Sequence, residues 1–378
     1  MIYIRALFAV VSAVYGITAA AQVPPVVHVA PSRQFTTLPV VPAGRPAPHV
    51  INWATDGVLC DGVARVAVRA PLIRPTINSG PYPSAAPMPV SVTFAIDATG
   101  RPHAIGQVGN GYAPYAEDIG PALAASRFAP GTERAACMIR FVATLEPVAT
   151  APAQTVVAAT IQPQGRPPRA AYARGFAADT NCMDKPPEWR TQAYPPFKAI
   201  PQDPGTSDWT MVGYDIDKTG KPVAVHTRYS SGNAALDRAG VVAIGRSRFE
   251  PGARKGCAFP WWRRGDVLAA PETPDTVRQR PAGSTCPAEV DWARKPALYY
   301  PPAFNRRNIE GWAVIAFDVA PWGQTGNIRV VAAEPAAAFG EAAMNVIRQA
   351  TTAPSNGYVG CIERVVYRIA PVGGTDAE

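Results

Sequence analysis

The stretch "RSRFEPG", Arg246–Gly252, is the starting point for interpreting this chain, because a near copy, "ASRFAPG", occurs at Ala125–Gly131. Both follow a run whose apolar residues recur at helical spacing. Proline cannot continue a helix, and the adjacent glycine suits a sharp exit from one. We therefore interpret Ser-Arg-Phe-x-Pro-Gly as the helix stop of a repeated unit, and we expect its phenylalanine to fill the core of that unit.

The cysteines indicate three copies of the unit rather than two. The separations are 77, 75 and 75 residues for Cys60 with Cys137, Cys182 with Cys257 and Cys286 with Cys361. Six cysteines allow many pairings, and the repeated spacing singles out the one in which each copy closes its own disulfide. Zinc binding is the rival interpretation, and it fails because no CxxC or HxxxH pair occurs and the histidines are scattered.

Each cysteine pair frames the same succession of patterns. An alternating apolar stretch enters a turn at Gly100, Gly220 or Gly323, as in a β-hairpin. A helix follows the hairpin, and a last strand follows the second cysteine. The predicted helices are Glu117–Phe128, Ala234–Phe249 and Phe339–Thr352. The predicted fold class is α+β, with three small two-layer domains, each an antiparallel sheet with helices on one face and one disulfide.

These patterns divide the whole chain. Residues 1–21 are predicted to be a signal peptide, with Arg5 before an apolar run and a small-residue cleavage site at Ala19–Ala21. An uncleaved membrane anchor is the alternative. Residues 22–50 are a predicted Pro-rich linker. The predicted copies occupy residues 51–149, 173–268 and 283–372, and Ala/Pro-rich linkers join them at about 150–172 and 269–282.

The composition restricts the function. The formal net charge is +8, which suits contact with anionic polymers or only solubility, and no dense basic cluster with interleaved aromatics indicates nucleic-acid binding. The sequence "DIDKTG" from Asp215 resembles the start of a calcium loop, but His226 stands where that loop needs glutamate. Neither HExxH nor GxSxG occurs. We therefore predict no enzyme activity, metal or cofactor.

The repeated motifs resemble the C-terminal domain of TonB, the periplasmic energy-transducing protein. The family pattern is Tyr-Pro, Glu-Gly before a strand, Asp-x-x-Gly at the hairpin, and a helix that ends in Arg-Phe-x-Pro. The third copy supplies Tyr300-Pro301 and Glu310-Gly311, and the second supplies Tyr194-Pro195, Asp217–Gly220 and Arg248–Pro251. The resemblance implies a periplasmic protein that binds extended peptides of an envelope partner, such as an outer-membrane receptor, with a link to outer-membrane transport.

By the same resemblance, the last strand of each copy is the candidate edge for strand addition. These strands are predicted at Cys137–Leu145, Cys257–Trp262 and Cys361–Ile369, and Val365 and Tyr367 are candidate binding residues on the third. A working energy transducer carries a histidine in an uncleaved apolar span, and residues 6–21 contain none. Membrane contact is therefore expected only through a partner or an uncleaved N-terminal segment.

The cluster "FPWWRR", Phe259–Arg264, supports a second hypothesis. Adjacent tryptophans on a strand point to opposite faces, so at least one ring is exposed unless another copy covers it. Trp261, Trp262 and Arg263 are therefore candidate binding residues for a partner or a glycan, and the alternative is a seam between the second and third copies. A cell-wall or glycan-binding envelope protein is the alternative function.

Overall fold

The computed structural model describes residues 47–80, 85–109, 113–131, 133–161, 166–275 and 279–370. The predicted signal peptide, residues 22–46 of the predicted linker, the pair Tyr82-Pro83 and residues 371–372 of the third predicted copy lie outside these ranges. In the first part of the chain, the strands and helices are β1 (His49–Cys60), β2 (Val63–Arg65), β3 (Ala67–Arg69), β4 (Thr76–Asn78), β5 (Val90–Ile96), β6 (Pro102–Gln107), α1 (Ile119–Ala125), β7 (Arg127–Phe128), β8 (Arg134–Pro147), α2 (Ala153–Thr160) and α3 (Arg169–Ala173).

The rest of the chain repeats part of this order. The next elements are β9 (Trp189–Thr191), a 3-10 helix (Phe197–Ala199), β10 (Ser207–Ile216), β11 (Pro222–Ser230), α4 (Ala234–Arg246), β12 (Arg248–Phe249) and β13 (Arg254–Arg264). The last are β14 (Trp292–Arg294), α5 (Pro302–Arg306), β15 (Gly311–Val319), β16 (Thr325–Glu334), α6 (Ala337–Gln349), β17 (Thr351–Thr352) and β18 (Tyr358–Tyr367). Among the described residues, no helix is both long enough and apolar enough to span a membrane.

One arrangement of strands and helix occurs three times. Each instance has an antiparallel hairpin, a helix, and a last strand that pairs with the first strand of the hairpin, giving the orders β6-β5-β8, β11-β10-β13 and β16-β15-β18. We call the parts of the chain that contain them the first segment (residues 47–149), the second segment (residues 173–268) and the third segment (residues 283–370). The predicted order of hairpin, helix and last strand is therefore present in all three.

The opening motif and the hairpin glycine meet in space. In each segment, a backbone amide after the helix donates to the carbonyl oxygen of the hairpin glycine at 2.9 Å, in the pairs Phe128 with Gly100, Phe249 with Gly220 and Thr352 with Gly323. A Cβ atom on any of these glycines would overlap the carbonyl oxygen of its partner, and all three have positive φ. The third segment keeps the contact although threonine replaces the phenylalanine.

The helices end three residues earlier than predicted. They stop at Ala125, Arg246 and Gln349, and the residues that follow form the short strands β7, β12 and β17. These strands pair with β3, β9 and β14. The extended backbone is needed at this point because the amide has to reach the hairpin glycine. Phe128 and Phe249 are buried, as predicted.

The three predicted disulfides are present. The bonds are Cys60–Cys137, Cys182–Cys257 and Cys286–Cys361. Each attaches the chain that precedes a hairpin to the first half of the last strand of the same segment. Because each bond closes a loop of 75 residues or more, it restricts the unfolded chain strongly.

The first segment differs from the other two in its sheet. Strand β1 pairs with β8 from His49↔Pro147 to Cys60↔Cys137, so the sheet order is β2-β1-β8-β5-β6. The expectation that Cys137–Leu145 is an edge is therefore wrong, because β8 has a neighbour on each side. Strand β1 also begins inside the predicted 22–50 linker.

The predicted linkers between the copies contain structure. Residues 150–172 include α2 and most of α3, and Val157 of α2 is buried in one cluster with Met211 of β10. Between 269 and 275, the carbonyl oxygen of Pro271 accepts a hydrogen bond from the Trp312 indole at 2.9 Å. The described residues of these two stretches are therefore part of the packed structure.

The second sheet is covered on both faces. A Cβ atom on Gly175, just after α3, would lie 3.1 Å from Met211, and one on Gly240 of α4 would lie 3.1 Å from Val212. Neighbouring residues of a strand point to opposite faces of the sheet. The helix α4 of this segment therefore lies on one face of the sheet, and the chain at the start of the segment folds over the other face.

The hydrophobic core does not divide into three parts. One buried cluster joins Phe94 and Leu123 of the first segment to Phe317 and Phe339 of the third. The second segment has a cluster of its own, which also contains residues of α2. The protein is thus a mixed α+β structure of antiparallel sheets with three disulfides, and its first and third segments share one core.

Candidate peptide-binding edges

Two last strands lie at the edge of their sheets. Strand β13 pairs only with β10, and β18 pairs only with β15, among the strands of the described residues. An edge strand presents unpaired backbone N–H and C=O groups that can accept another strand. These two edges are the candidate functional sites.

Each edge is covered beside its disulfide. The amide of Thr285 donates to the carbonyl oxygen of Val359 at 3.1 Å, and the amide of Val359 donates to the Thr285 hydroxyl at 2.9 Å. At β13 the amide of Asn181 donates to the Lys255 carbonyl at 3.3 Å in the same way. Past the disulfide cysteines, neither edge pairs with another strand in the part of the chain that the structure describes.

A proline shows which backbone groups face outward on β13. Pro260 lies opposite Met211 of β10 and has no N–H to donate, so its nitrogen belongs on the open side of the strand. The position three residues after the disulfide cysteine is Pro260 on β13 and Arg364 on β18. Arg364 lies opposite Val314 of β15. Val314 and Met211 are equivalent positions, since each lies three residues before the residue that is opposite the disulfide cysteine. The edge of β18 therefore keeps an outward N–H group that β13 lacks.

The first segment shows an added strand in place. Strand β1 occupies the side of β8 that stays open on β13 and β18, and it pairs there in antiparallel register. A bulge between Thr55 and Val58 interrupts the pairing. The same three-stranded arrangement thus accepts a further strand within this molecule.

The predicted aromatic cluster does not form an exposed platform. Trp261 is 4% exposed and its ring packs against Tyr194 and Phe259, whereas Trp262 is 45% exposed. The alternation of the strand thus exposes one ring of the pair. Trp261 packs within its own segment rather than at a seam with the third.

Arg263, the third residue of the predicted aromatic site, is engaged by its own segment. Its guanidinium donates to the carbonyl oxygens of Phe197 and Ile200, at the two ends of the 3-10 helix, and to the Asp266 carboxylate at 2.6 Å. These contacts hold the 3-10 helix against β13. The side chain therefore positions a neighbouring element instead of presenting a free charge beside Trp262.

The other two predicted binding residues face the core. Tyr367 is fully buried, its ring contacts Phe339 and Tyr300, and burial raises the pKa of its phenol. Val365 is also buried. Neither side chain is presented to a partner, so the candidate edge of β18 consists of the backbone groups of the strand.

The Glu-Gly motif holds the end of β18. The Glu310 carboxylate is buried and accepts hydrogen bonds from the Ile369 amide at 3.1 Å and from Arg368 at 2.6 Å. At Gly311 a Cβ atom would lie 2.6 Å from the Phe339 ring, so only glycine fits there. These residues fix the position of the candidate edge.

Arg307 joins all three segments and was not among the predicted site residues. Its guanidinium donates to both carboxylate oxygens of Asp118, at 2.7 and 2.5 Å, and to the carbonyl oxygen of Leu72 at 2.7 Å. It also donates to the carbonyl oxygen of Gly205 at 3.4 Å. Its position in "NRRN" carried no signal of this role, because an adjacent pair of arginines is typical of an exposed helix end.

Two cavities lie where segments meet. One of about 610 Å³ lies between the first and second segments and includes Arg69, Asp208 and Trp209 in its lining. A smaller one, of about 190 Å³, lies beside Arg307. No cluster of three or more histidine, cysteine or acidic residues that could hold a metal occurs in the described part of the chain.

Comparison with known proteins agrees with the resemblance of the third segment. No curated protein matches the chain. Residues 296–368, which include α5 and end just after β18, match the family model for the C-terminal part of the Gram-negative bacterial TonB protein. This part of the chain is therefore similar to one copy of that family's domain, and the two further copies stay a prediction.

Proposed function

We propose that this chain is a periplasmic, TonB-like binding protein, without enzyme activity, that captures an extended peptide of an envelope partner by strand addition to β18. An outer-membrane receptor is the partner class that the family match favours. In this proposal the first and second segments are divergent copies of the same domain, supported by their common strand order and by their matching glycine contacts.

The open edge of β18 is the observation that carries the proposal. It lies within the matched region, it has no proline from Tyr358 to Tyr367, and β1 occupies the corresponding side of β8. Strand β13 is the weaker candidate because Pro260 cannot donate a hydrogen bond. A link to outer-membrane transport follows only if the partner is a receptor.

The test is the substitution Arg364→Pro. We expect it to abolish the capture of receptors from detergent-solubilised outer membranes, identified by mass spectrometry, while the fold persists, because Pro260 occupies the matching position of β13. Arg364→Ala is the matched control, since it removes the same side chain and its hydrogen bond to Thr273 but keeps the backbone N–H. Capture should persist in this control.

Two outcomes would contradict the proposal. One is equal capture by wild type and Arg364→Pro with an unchanged circular dichroism spectrum. The other is sedimentation with purified cell wall that is lost in Trp262→Ala, which would favour the glycan-binding alternative.

A further inference from the structure

The smaller cavity lies where the three segments meet. Its lining combines Arg74 before β4, Asp118 before α1, Ser207 at the start of β10, and Arg306 and Arg307 at the end of α5. At about 190 Å³ it suits a small group rather than a peptide strand. Its chemistry is therefore separate from the edge of β18.

One of these arginines is already neutralised. Arg307 is buried and forms a bidentate ion pair with Asp118, and the same carboxylate accepts the Arg74 amide at 2.7 Å. Asp118 is thus occupied by Arg307 and by a backbone group. It has little capacity left for a second guanidinium.

The guanidinium groups of Arg74 and Arg306 have no such partner. In the described part of the chain, neither forms a hydrogen bond or an ion pair, and both side chains are half-buried. Burial lowers the pKa of Arg74; Asp118 opposes this, while Arg306 and Arg307 lower it further. The cavity therefore holds two cations that repel each other.

The charge of the lining indicates the ligand. It contains four guanidinium groups and two carboxylates, those of Arg74, Arg166, Arg306, Arg307, Glu117 and Asp118. This leaves an excess of two positive charges. The hydroxyl groups of Thr76 and Ser207 are also in the lining. Planar guanidinium groups bind phosphate through paired hydrogen bonds, and hydroxyl groups donate to its remaining oxygens.

We propose that this cavity binds a phosphate group as its dianion, with Arg74 and Arg306 as the principal ligands. The bound phosphate is the negatively charged partner of these two side chains, and it links the first segment to the third. The phosphate site does not depend on strand addition to β18, and it is tested separately.

The experiment measures thermal unfolding of the full chain in increasing inorganic phosphate, with ionic strength held constant by sodium chloride. A ligand that binds only the folded state raises the Tm. We expect a saturating rise for wild type. Arg74→Gln and Arg306→Gln should each weaken binding by at least about tenfold, since each removes a charged hydrogen bond.

The variants without phosphate distinguish a binding role from a structural one. Relief of the repulsion should leave their Tm equal to or above that of wild type, whereas a lower Tm would contradict the inference that these side chains repel each other. Arg238→Gln, at an exposed position of α4, is the matched control and should keep the full phosphate response. Phosphorus NMR of inorganic phosphate with wild type provides a second measure of binding.

The source of the phosphate group follows from a second titration. A response to glycerol phosphate at lower concentration than to inorganic phosphate would assign a phosphate carried by a larger molecule, and the reverse would assign the free ion. A retained response in both arginine variants would overturn the proposal. So would a larger response to succinate, which would make the ligand a dicarboxylate.

Discussion

The second segment keeps a core of its own, whereas the first and third segments share one. In the second, Leu236 and Ile244 of α4 pack in one cluster with Phe249 of the same segment. In the first, α1 lies against the third segment, where the Phe304 ring comes within 3.5 Å of the position that a Cβ on Gly120 would take. Segments with the same strand order therefore do not all have a separate hydrophobic core.

The shared core also depends on a backbone junction. The amide of Ile105 on β6 donates to the Pro335 carbonyl at 2.9 Å, and the Glu334 carboxylate accepts from the Ala104 amide at 2.8 Å. None of these residues belongs to the motifs that repeat between the segments. Residues outside the matching hairpins and helices therefore contribute to the junction between the two segments that share a core.

The largest expected effect is that of Phe339→Ala. Phe339 is fully buried and contacts Phe304, Tyr300 and Tyr367, so its truncation should lower the free energy of unfolding by about 4 kcal/mol. Because the core is shared, hydrogen exchange should accelerate in both the first and third segments.

Phe249→Ala is the matched comparison for the second segment. It should cost a similar free energy, about 3–5 kcal/mol, but the faster exchange should remain within the second segment and α2. Exchange that spreads equally through all three segments in both variants would refute the difference between the two cores.

Arg307→Met tests the ion pair with Asp118, which joins the third segment to the first, and it should cost about 3 kcal/mol in chemical denaturation. It leaves the Asp118 carboxylate without its cation at a site where that side chain is 18% exposed. Addition of Asp118→Leu should recover part of the loss, because the unpaired charge is then gone. If Asp118→Leu lowers the free energy of unfolding by the same amount in the Arg307→Met variant as in wild type, the two side chains do not interact.

His103→Gln tests the junction of the shared core and should have a smaller, pH-dependent effect. The hydrogen bond to Glu334, at 3.1 Å, raises the pKa of His103 against the effect of burial. Its stabilisation is full below about pH 6.5 and is lost as the pH rises through the raised folded-state pKa. We expect a loss of about 0.5 kcal/mol on the acidic side of this range and none at alkaline pH, from unfolding curves at several pH values.

His226→Gln is the control for that experiment. His226 lies on β11, and its ring Nδ1 forms a hydrogen bond of 2.8 Å with the Ala224 carbonyl oxygen within the second segment. Its substitution removes no contact between the first and third segments. If the free energy of unfolding depends on pH in the same way for His103→Gln and wild type, the His103 contact does not stabilise the junction.

Trp262→Ala should have the smallest effect, within about 0.5 kcal/mol, because the ring is 45% exposed. Trp261→Ala should cost several times more, since that ring lies in the core of the second segment. Thermal unfolding of the two variants shows which face of β13 is open. Equal costs would mean that Trp262 is also packed.

Much of the candidate site could be predicted, and some of it could not. The last strands β13 and β18 follow from the cysteine frame and from alternation. That β8 is central could not be predicted, because β1, "HVINWATDGVLC", follows a Pro-rich stretch and its pairing partner lies far along the chain. Helix α2 was hidden because Val156 and Val157 bury in two different clusters, so no single apolar stripe marks it.

The disulfides, the three hairpins with their glycines and the helices that follow them could be predicted from the chain alone. Each depends on residue spacing or on local backbone geometry, and both can be recognised from the order of residues in the sequence. The covering of β8, the merger of the first and third cores, and the pairing of Arg307 with Asp118 while Arg74 and Arg306 stay unpaired are properties of the folded molecule. They depend on which surfaces meet after the segments fold, and contacts between residues so far apart leave no local pattern.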